Sequence, residues 1–248
     1  MPIQTLRMCF LVSGGGTTMG AILEAIRTKK LEGVEPKLVI ASRPGIAAIE
    51  RAHEAGMACH NVLLLSPRNY HDPKRFARRI IEECEIRGVN FIGQYGWMPK
   101  TPEPVVRRFA GMIVNQHPGP LDPAAPPGFD FGGEGMFGRR VMAARLLFVR
   151  SVERAWWTLA TTHHVLPEFD RGGVIGESLV DIHPDTTLED LKLRMSQAEH
   201  RLQIRVLRDF VQGTVRVAEH KSHWLVRPEE KDVLDKCKAE AAALYPNG

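Results

Sequence analysis

The sequence predicts an α/β fold in which a mostly parallel central sheet is flanked by helices. Three observations predict it: an opening apolar run that breaks into a glycine turn, short apolar runs alternating with amphipathic stretches, and 248 residues, enough to bury a large core. Leu6 to Val12 is a compact apolar run, Ser13-Gly14-Gly15-Gly16-Thr17-Thr18 follows, and Met19 to Thr28 takes helical spacing. That segment reads strand, glycine turn, helix. Pro36 to Ser42 reads as a second strand, Ile46 to Ala55 as a helix and His60 to Leu65 as a third strand. A helix over Pro73 to Arg87 precedes a strand at Val89 to Gln94, and a short helix near Pro102 to Phe109 precedes a strand at Met112 to Asn115. Strands separated by helices need crossover connections, which make a parallel sheet covered on both faces.

The middle of the chain changes character. Pro118 to Gly138 holds five prolines and six glycines, too many breakers for regular structure, and such a loop is either functional or a surface insertion. Beyond it, Trp156 to Val165 and Val174 to Ile182 are rich in β-branched and aromatic residues and read as strands that extend the same sheet around a turn at Asp170-Arg171-Gly172-Gly173. Leu188, Leu191, Met195, Ala198, Leu202, Val206 and Phe210 then recur at helical spacing, with Thr186 and Glu189 as a capping box. The remainder, to Gly248, carries one more short helical pattern.

Composition narrows the function classes. At 44% hydrophobic and 25% charged, the chain is neither disordered, collagen-like nor membrane-spanning. The formal charge of +4 suits an anionic small molecule, while scattered basic residues and 7% aromatics give no nucleic-acid signature. Cys9, Cys59, Cys84 and Cys237 lie far apart without a Cys-x-x-Cys pair, so neither a zinc ribbon nor a disulfide framework is expected. With no export signal in the short apolar run at Met8 to Val12, a cytoplasmic location is expected.

Four constellations could carry chemistry. Backbone N–H groups of the glycine turn at a helix N-terminus form an anion site to which Thr17 and Thr18 add hydroxyls, although the glycines miss the G-x-G-x-x-G spacing and an ordinary tight turn reads the same. Asn115 and His117, two apart on a strand, project to one side at its carboxyl end, and Pro118 forces the chain out of the sheet. His163 lies on the strand face of Trp157, Leu159 and Val165, where it is either a buried structural histidine or a site residue, and Asp170 opens the following glycine turn. Glu199 sits about 60° or less from Met195 and Leu202 on the helical wheel, a partly buried carboxylate in need of a partner. No His-Glu-x-x-His spacing appears, and no metal is expected.

In this order the pieces resemble the glycinamide ribonucleotide formyltransferase family, most specifically through Asn115-x-His117-Pro118 and through His163 with Asp170-x-Gly172-Gly173-Val174-Ile175. The resemblance covers most of residues 6–212. It implies a Rossmann-like formyltransferase fold, with a domain over 1–215 made of a phosphate-binding half (1–117), the Pro/Gly-rich loop (118–138) and a folate-side half (139–215), followed by an extension at 216–248. It implies transfer of a formyl group from 10-formyltetrahydrofolate, as co-substrate, to the amine of glycinamide ribonucleotide in purine synthesis. Asn115, His117 and Asp170 become the catalytic set, supported by His163, with Asp170 keeping His117 protonated. Gly15, Gly16, Thr17 and Thr18 become the substrate-phosphate site, and Glu199 a substrate-binding residue. Tyr95, Gly96, Trp97 and Met98, with Pro167, Glu168 and Phe169, resemble folate-pocket walls. The implied partners are a phosphorylated small-molecule amine and folate, with neither nucleic acid nor membrane. Transfer to another amine, such as an amino sugar nucleotide, and a non-catalytic nucleotide-binding module are the alternatives.

Overall fold

Five parallel strands build the first of two units in the computed structural model, which describes residues 5–248. They are β1 (Leu6–Val12), β2 (Val34–Ala41), β3 (Val62–Leu64), β4 (Phe91–Gln94) and β5 (Ile113–His117), side by side as β3-β2-β1-β4-β5. Every residue of β1 except Arg7 is buried, as a parallel strand covered on both faces requires. The crossovers are α1 (Thr17–Arg27), α2 (Ala47–Glu54), α3 (Pro73–Ile86) and α4 (Glu103–Arg108). Asp72 caps α3 by accepting the Lys74 N–H at 2.8 Å, Pro73 occupies the first helical position, and Phe76, Ile80 and Cys84 turn inward onto Leu11 and Ile92.

Several boundaries differ from expectation by a residue or two, β2 starting at Val34 and β4 at Phe91 among them. The third strand starts at Val62 because Cys59–Asn61 winds into a 3-10 turn. The fifth continues through His117, where Pro118, lacking an N–H, ends it. Strand order reverses about β1, which has β2 on one side and β4 on the other, and open α/β sheets place ligands at the carboxyl ends of strands around such a reversal.

The second unit comprises 117–163, 168–202 and 216–248. Its strands β6 (Trp157–His164) and β7 (Val174–Asp181) pair antiparallel, and the register slips at a bulge: Thr162 faces Gly176 but His163 faces Val174. A helix that periodicity does not predict, α5 (Arg139–Val152), precedes them. It buries Val141, Ala143, Ala144, Leu146 and Phe148, and also Arg145, which is 0% exposed, so no polar face marks it in the sequence. The long amphipathic pattern forms α6 (Leu188–Gln212), with its capping box one residue later than expected. Thr187 Oγ1 accepts the Asp190 N–H at 3.1 Å and Asp190 Oδ2 accepts the Thr187 N–H at 3.3 Å, whereas the Thr186 hydroxyl is taken by the His183 N–H.

Residues 216–248 wrap α5. The last helix, α7 (Lys231–Leu244), buries Leu234, Cys237 and Ala241 in one cluster with Val141, Ala144 and Phe148. Trp224 stacks on Trp157 at 5.8 Å, and Arg154 forms an ion pair with Glu230. All four cysteines are free thiols, and among the described residues no helix is long and apolar enough to cross a membrane.

Candidate active site

In the first unit the glycine turn closes around Ser13. The Ser13 hydroxyl oxygen accepts the Ser42 O–H at 2.6 Å and the Met98 N–H at 2.9 Å, while Arg43 donates to the Ser13 carbonyl. Arg51 reaches in from α2 and donates to the Gly15 carbonyl at 2.9 Å. Two guanidinium groups therefore flank the turn. Gly16 sits at φ +66°, and a Cβ there would lie 2.6 Å from the Ala48 Cβ, so the turn depends on glycine at this position. The first turn of α1 has no side-chain cap and no acidic residue, which leaves its N–H groups open to an anion; Thr17 is exposed and Thr18 buried. The Ser13 N–H to Gly96 carbonyl bond, 3.1 Å, joins this turn to the loop after β4. Gly15 to Thr18 and Tyr95 to Met98 thus share one strand-end region, and Asn115, half-buried on the neighbouring strand, pairs with Gln94, the last residue of β4. Tyr95 Oη and Trp97 Nε1 are buried and unpaired among the described residues, polar atoms that a heterocyclic ligand can satisfy.

In the second unit His117, His163 and Asp170 come together. Asp170 Oδ1 lies 3.3 Å from His163 Nε2, Asp170 Oδ2 lies 3.8 Å from His117 Nδ1, and the Gly133 N–H donates to Oδ2 at 2.9 Å. His117 Nε2 lies 3.1 Å from the Phe131 carbonyl, which can only accept, so Nε2 carries a hydrogen and Nδ1 is the nitrogen turned to Asp170. Asp170 takes φ +54°, a conformation a short polar side chain tolerates.

The Pro/Gly-rich loop supplies this cluster's backbone contacts. Asp130, 4% exposed, accepts the N–H groups of Asp122 and Gly132, each at 3.0 Å. Arg171 donates to the carbonyls of Pro123 and Ala125 at 2.7 and 2.6 Å. The segment is thus tied to the Asp170-Arg171 turn through Pro123, Ala125 and Gly133.

Charge balance corrects one expectation. Burial pushes the His117 imidazole below its ordinary value, and the Asp170 carboxylate beside it offsets that only in part, so the ring is not held protonated at neutral pH. For Asp170 burial acts upward, but His117, the hydrogen bond from His163 and the Gly133 N–H outweigh it and hold the carboxyl well below the usual carboxylate range.

Both shifts are downward, so the folded protein binds fewer protons here than the unfolded chain does. The stability from His117 is complete above about pH 6.5 and falls as pH drops through its depressed value; the Asp170 contribution goes below about pH 4. The melting temperature is expected to fall between pH 7 and 5, and His117→Asn to flatten that limb. An equally steep limb in the variant, read by thermal melts, would remove His117 as its source.

The family model for formyl transferases matches residues 6–129, half of the chain. The chain belongs to the formyl transferase family. Phosphoribosylglycinamide formyltransferase of Escherichia coli (strain K12) is 24% identical over 221 residues, covering 89% of this chain and 93% of that protein. The trifunctional purine biosynthetic protein adenosine-3 of Gallus gallus is 27% identical over 219 residues; the match takes in 88% of this chain and 20% of that relative, so the chain spans a fifth of its length. Among solved structures, glycinamide ribonucleotide transformylase 1 from Symbiobacterium toebii matches with a TM-score of 0.71 at 26% identity, over 87% of this chain and 95% of that one.

Against this formyl transferase background, the remaining predicted residues fall as follows. Glu199 is half-buried on α6 and engaged by a neighbour, as is the adjacent His200. Pro167 is half-buried, and Glu168 and Phe169 are exposed just before Asp170. Sequence reasoning missed Arg43, Arg51, Asp130, Phe131 and Gly133. The first two were readable as basic residues near a candidate anion turn, and Asp130 as a carboxylate in a breaker-rich tract. Phe131 and Gly133 act through their backbones, which leave no mark on residue type.

Proposed function

We propose that this formyl transferase moves a formyl group from 10-formyltetrahydrofolate to the amine of glycinamide ribonucleotide, a step of purine synthesis in the cytoplasm. The observation that carries the reading is the buried Asp170, bonded to Gly133 and His163 and facing His117 Nδ1, in a chain that also builds a cationic glycine turn. The formyl transferase domain is assigned to residues 1–215, with 216–248 buttressing it.

The substrate phosphate is assigned to the turn at Gly15, Gly16, Thr17 and Thr18, where free helix N–H groups and Arg51 favour negative charge. Glu199 is assigned to the substrate amine or hydroxyls. Tyr95 to Met98 and Pro167 to Phe169 are assigned to the folate, whose flat heterocycle would pair with the unsatisfied Tyr95 and Trp97 atoms. The bound folate contributes an activated formyl carbon and, as that carbon departs, a nitrogen that takes a proton.

As the amine attacks the formyl carbon, negative charge grows on the formyl oxygen, and the Asn115 amide donates to it; one such donor is worth about 10²- to 10³-fold in rate. The proton leaving the amine is taken by His117 at Nδ1, since Nε2 is committed to the Phe131 carbonyl. The imidazolium forms against Asp170, which is already ionised. His117 then returns that proton to the departing nitrogen, so the ring ends neutral and the proton count closes.

Incubation with 10-formyltetrahydrofolate and glycinamide ribonucleotide, following release of tetrahydrofolate, tests the reading. Turnover with an amino sugar nucleotide in place of this amine would overturn the substrate, and turnover with no amine at all would overturn the reaction class. Gly16→Ala is expected to raise KM for the phosphorylated amine about tenfold while changing kcat less, because a strained turn withdraws its N–H groups from the phosphate. An unaltered KM would move the phosphate elsewhere.

A further inference from the structure

One file of polar contacts leads from the last helix to Asp170. Lys238 on α7 donates from Nζ to the Gly132 carbonyl at 3.0 Å. The N–H of that same peptide group, on Gly133, donates to Asp170 Oδ2 at 2.9 Å. In a trans peptide the C=O and N–H point opposite ways, so one flat unit is held by a cation at one end and a carboxylate at the other. We propose that Lys238 is a positioning residue of the active site: it fixes and polarises the Gly132–Gly133 peptide so that this N–H holds the Asp170 carboxylate toward His117. The proposal rests on the formyl-transfer reading and extends its machinery into residues 216–248.

The packing around this peptide leaves it little freedom. A Cβ on Gly132 would lie 2.6 Å from Leu121 Cδ2 and 2.8 Å from the Asp170 Cβ, so the loop backbone lies directly on the Asp170 side chain. The Gly132 N–H is tied to Asp130 Oδ1, the neighbouring Phe131 carbonyl receives His117 Nε2, and Gly133 takes φ +99°, a glycine conformation. From outside the loop, the Lys238 ammonium restrains the Gly132 carbonyl. A charged donor strengthens the N–H at the far end of the peptide it binds, because hydrogen bonds in series polarise one another.

The charge around both ends fits. Asp170 is faced by His117 from β5, His163 from β6 and Lys238 from α7, with Asp130 alongside in the loop. Burial pushes the Lys238 ammonium below its ordinary value, Asp130, Asp235 and Asp170 hold it up, and Lys231 works against it. Asp130 is itself 3.9 Å from the Arg171 guanidinium. Lys238 is half-buried, and its ammonium donates to a neutral carbonyl in the peptide next to the Asp170 carboxylate.

The test compares Lys238→Met, which keeps stem length and loses charge and donor, with Lys238→Arg, which restores both. In K238M, kcat is expected to fall about tenfold with KM for both substrates nearly unchanged, a signature of misplaced groups. The acid limb of kcat against pH, set by protonation of His117, should move toward neutrality, because an Asp170 carboxylate with a weaker donor favours the imidazolium beside it more strongly. By heteronuclear NMR the Gly133 amide should shift upfield. K238R should recover all three. A folded K238M with wild-type kcat, acid limb and Gly133 resonance overturns the proposal, and so does a kcat loss that K238R fails to rescue. If K238M does not fold, wild-type protein titrated through Lys238 deprotonation takes its place, and a Gly133 resonance that stays flat overturns the proposal. Wild-type protein that fails to turn over refutes formyl transfer, whereas the Gly133 resonance judges the contact independently.

Discussion

Asp170→Asn is expected to lower kcat about 10³-fold, within the range proton-transfer groups supply, while the protein remains folded. The amide matches the carboxylate in shape but not in what it can accept. Asp170 now receives the Gly133 N–H and the His163 Nε2–H and faces His117 Nδ1. An amide has one oxygen and one NH2. If the oxygen keeps Gly133, the NH2 turns to His163, which must change tautomer to accept it. The larger loss is at His117: with the carboxylate gone, burial acts on the ring with less opposition, and an imidazolium formed during proton transfer has no counter-charge. Steady-state kinetics beside a thermal melt decide the matter. A variant that melts normally and retains turnover within a few-fold would mean that the proton travels by another route.

The parallel half of the fold was legible because Met8 to Val12 in β1 and Leu38 to Ala41 in β2 are uninterrupted apolar runs, as strands buried on both faces require. The order β3-β2-β1-β4-β5 was not, since nothing in Leu6 to Val12 names the strands beside it. Helix α5 escaped notice for a physical reason. Its buried Arg145 donates to the Trp157 and Ala155 carbonyls at 2.9 and 2.8 Å and lies over the Phe131 and Trp157 rings, so a residue type that signals a solvent face sits in the core. The capping box slipped by one residue because Thr186 and Thr187 are each followed three positions later by an acid, and only the turn at His183 selects between them. At the candidate site, His117, His163 and Asp170 were identified as residues through their motifs. Lys238 could not be identified in that way: its partner is a backbone carbonyl 106 positions away, in a tract whose glycines looked like spacers.

Phe131→Ala is expected to destabilise the protein by about 3–5 kcal/mol, the usual range for emptying a fully buried aromatic site. For a chain of this size that is a fall of about 10 °C in melting temperature. The Phe131 side chain is 0% exposed; its ring meets Phe148 edge-on at 5.5 Å and lies 5.1 Å from the Arg145 guanidinium. Removing it opens a cavity and leaves Arg145 without one of its aromatic faces, while Arg145 Nη1 already lacks a hydrogen-bond partner among the described residues. The same residue holds the His117 tautomer through its carbonyl and lies next to the Gly132–Gly133 peptide, so slack in the core passes into the site. At a temperature where the variant is still folded, kcat is therefore expected to fall as well, about tenfold, whereas Phe131→Leu, which fills more of the space, should lose less of both. If calorimetry and turnover showed F131A losing stability with wild-type kcat, the loop would be anchored to the core without orienting His117. The coupling of packing to catalysis at residues 130–133 would then be wrong.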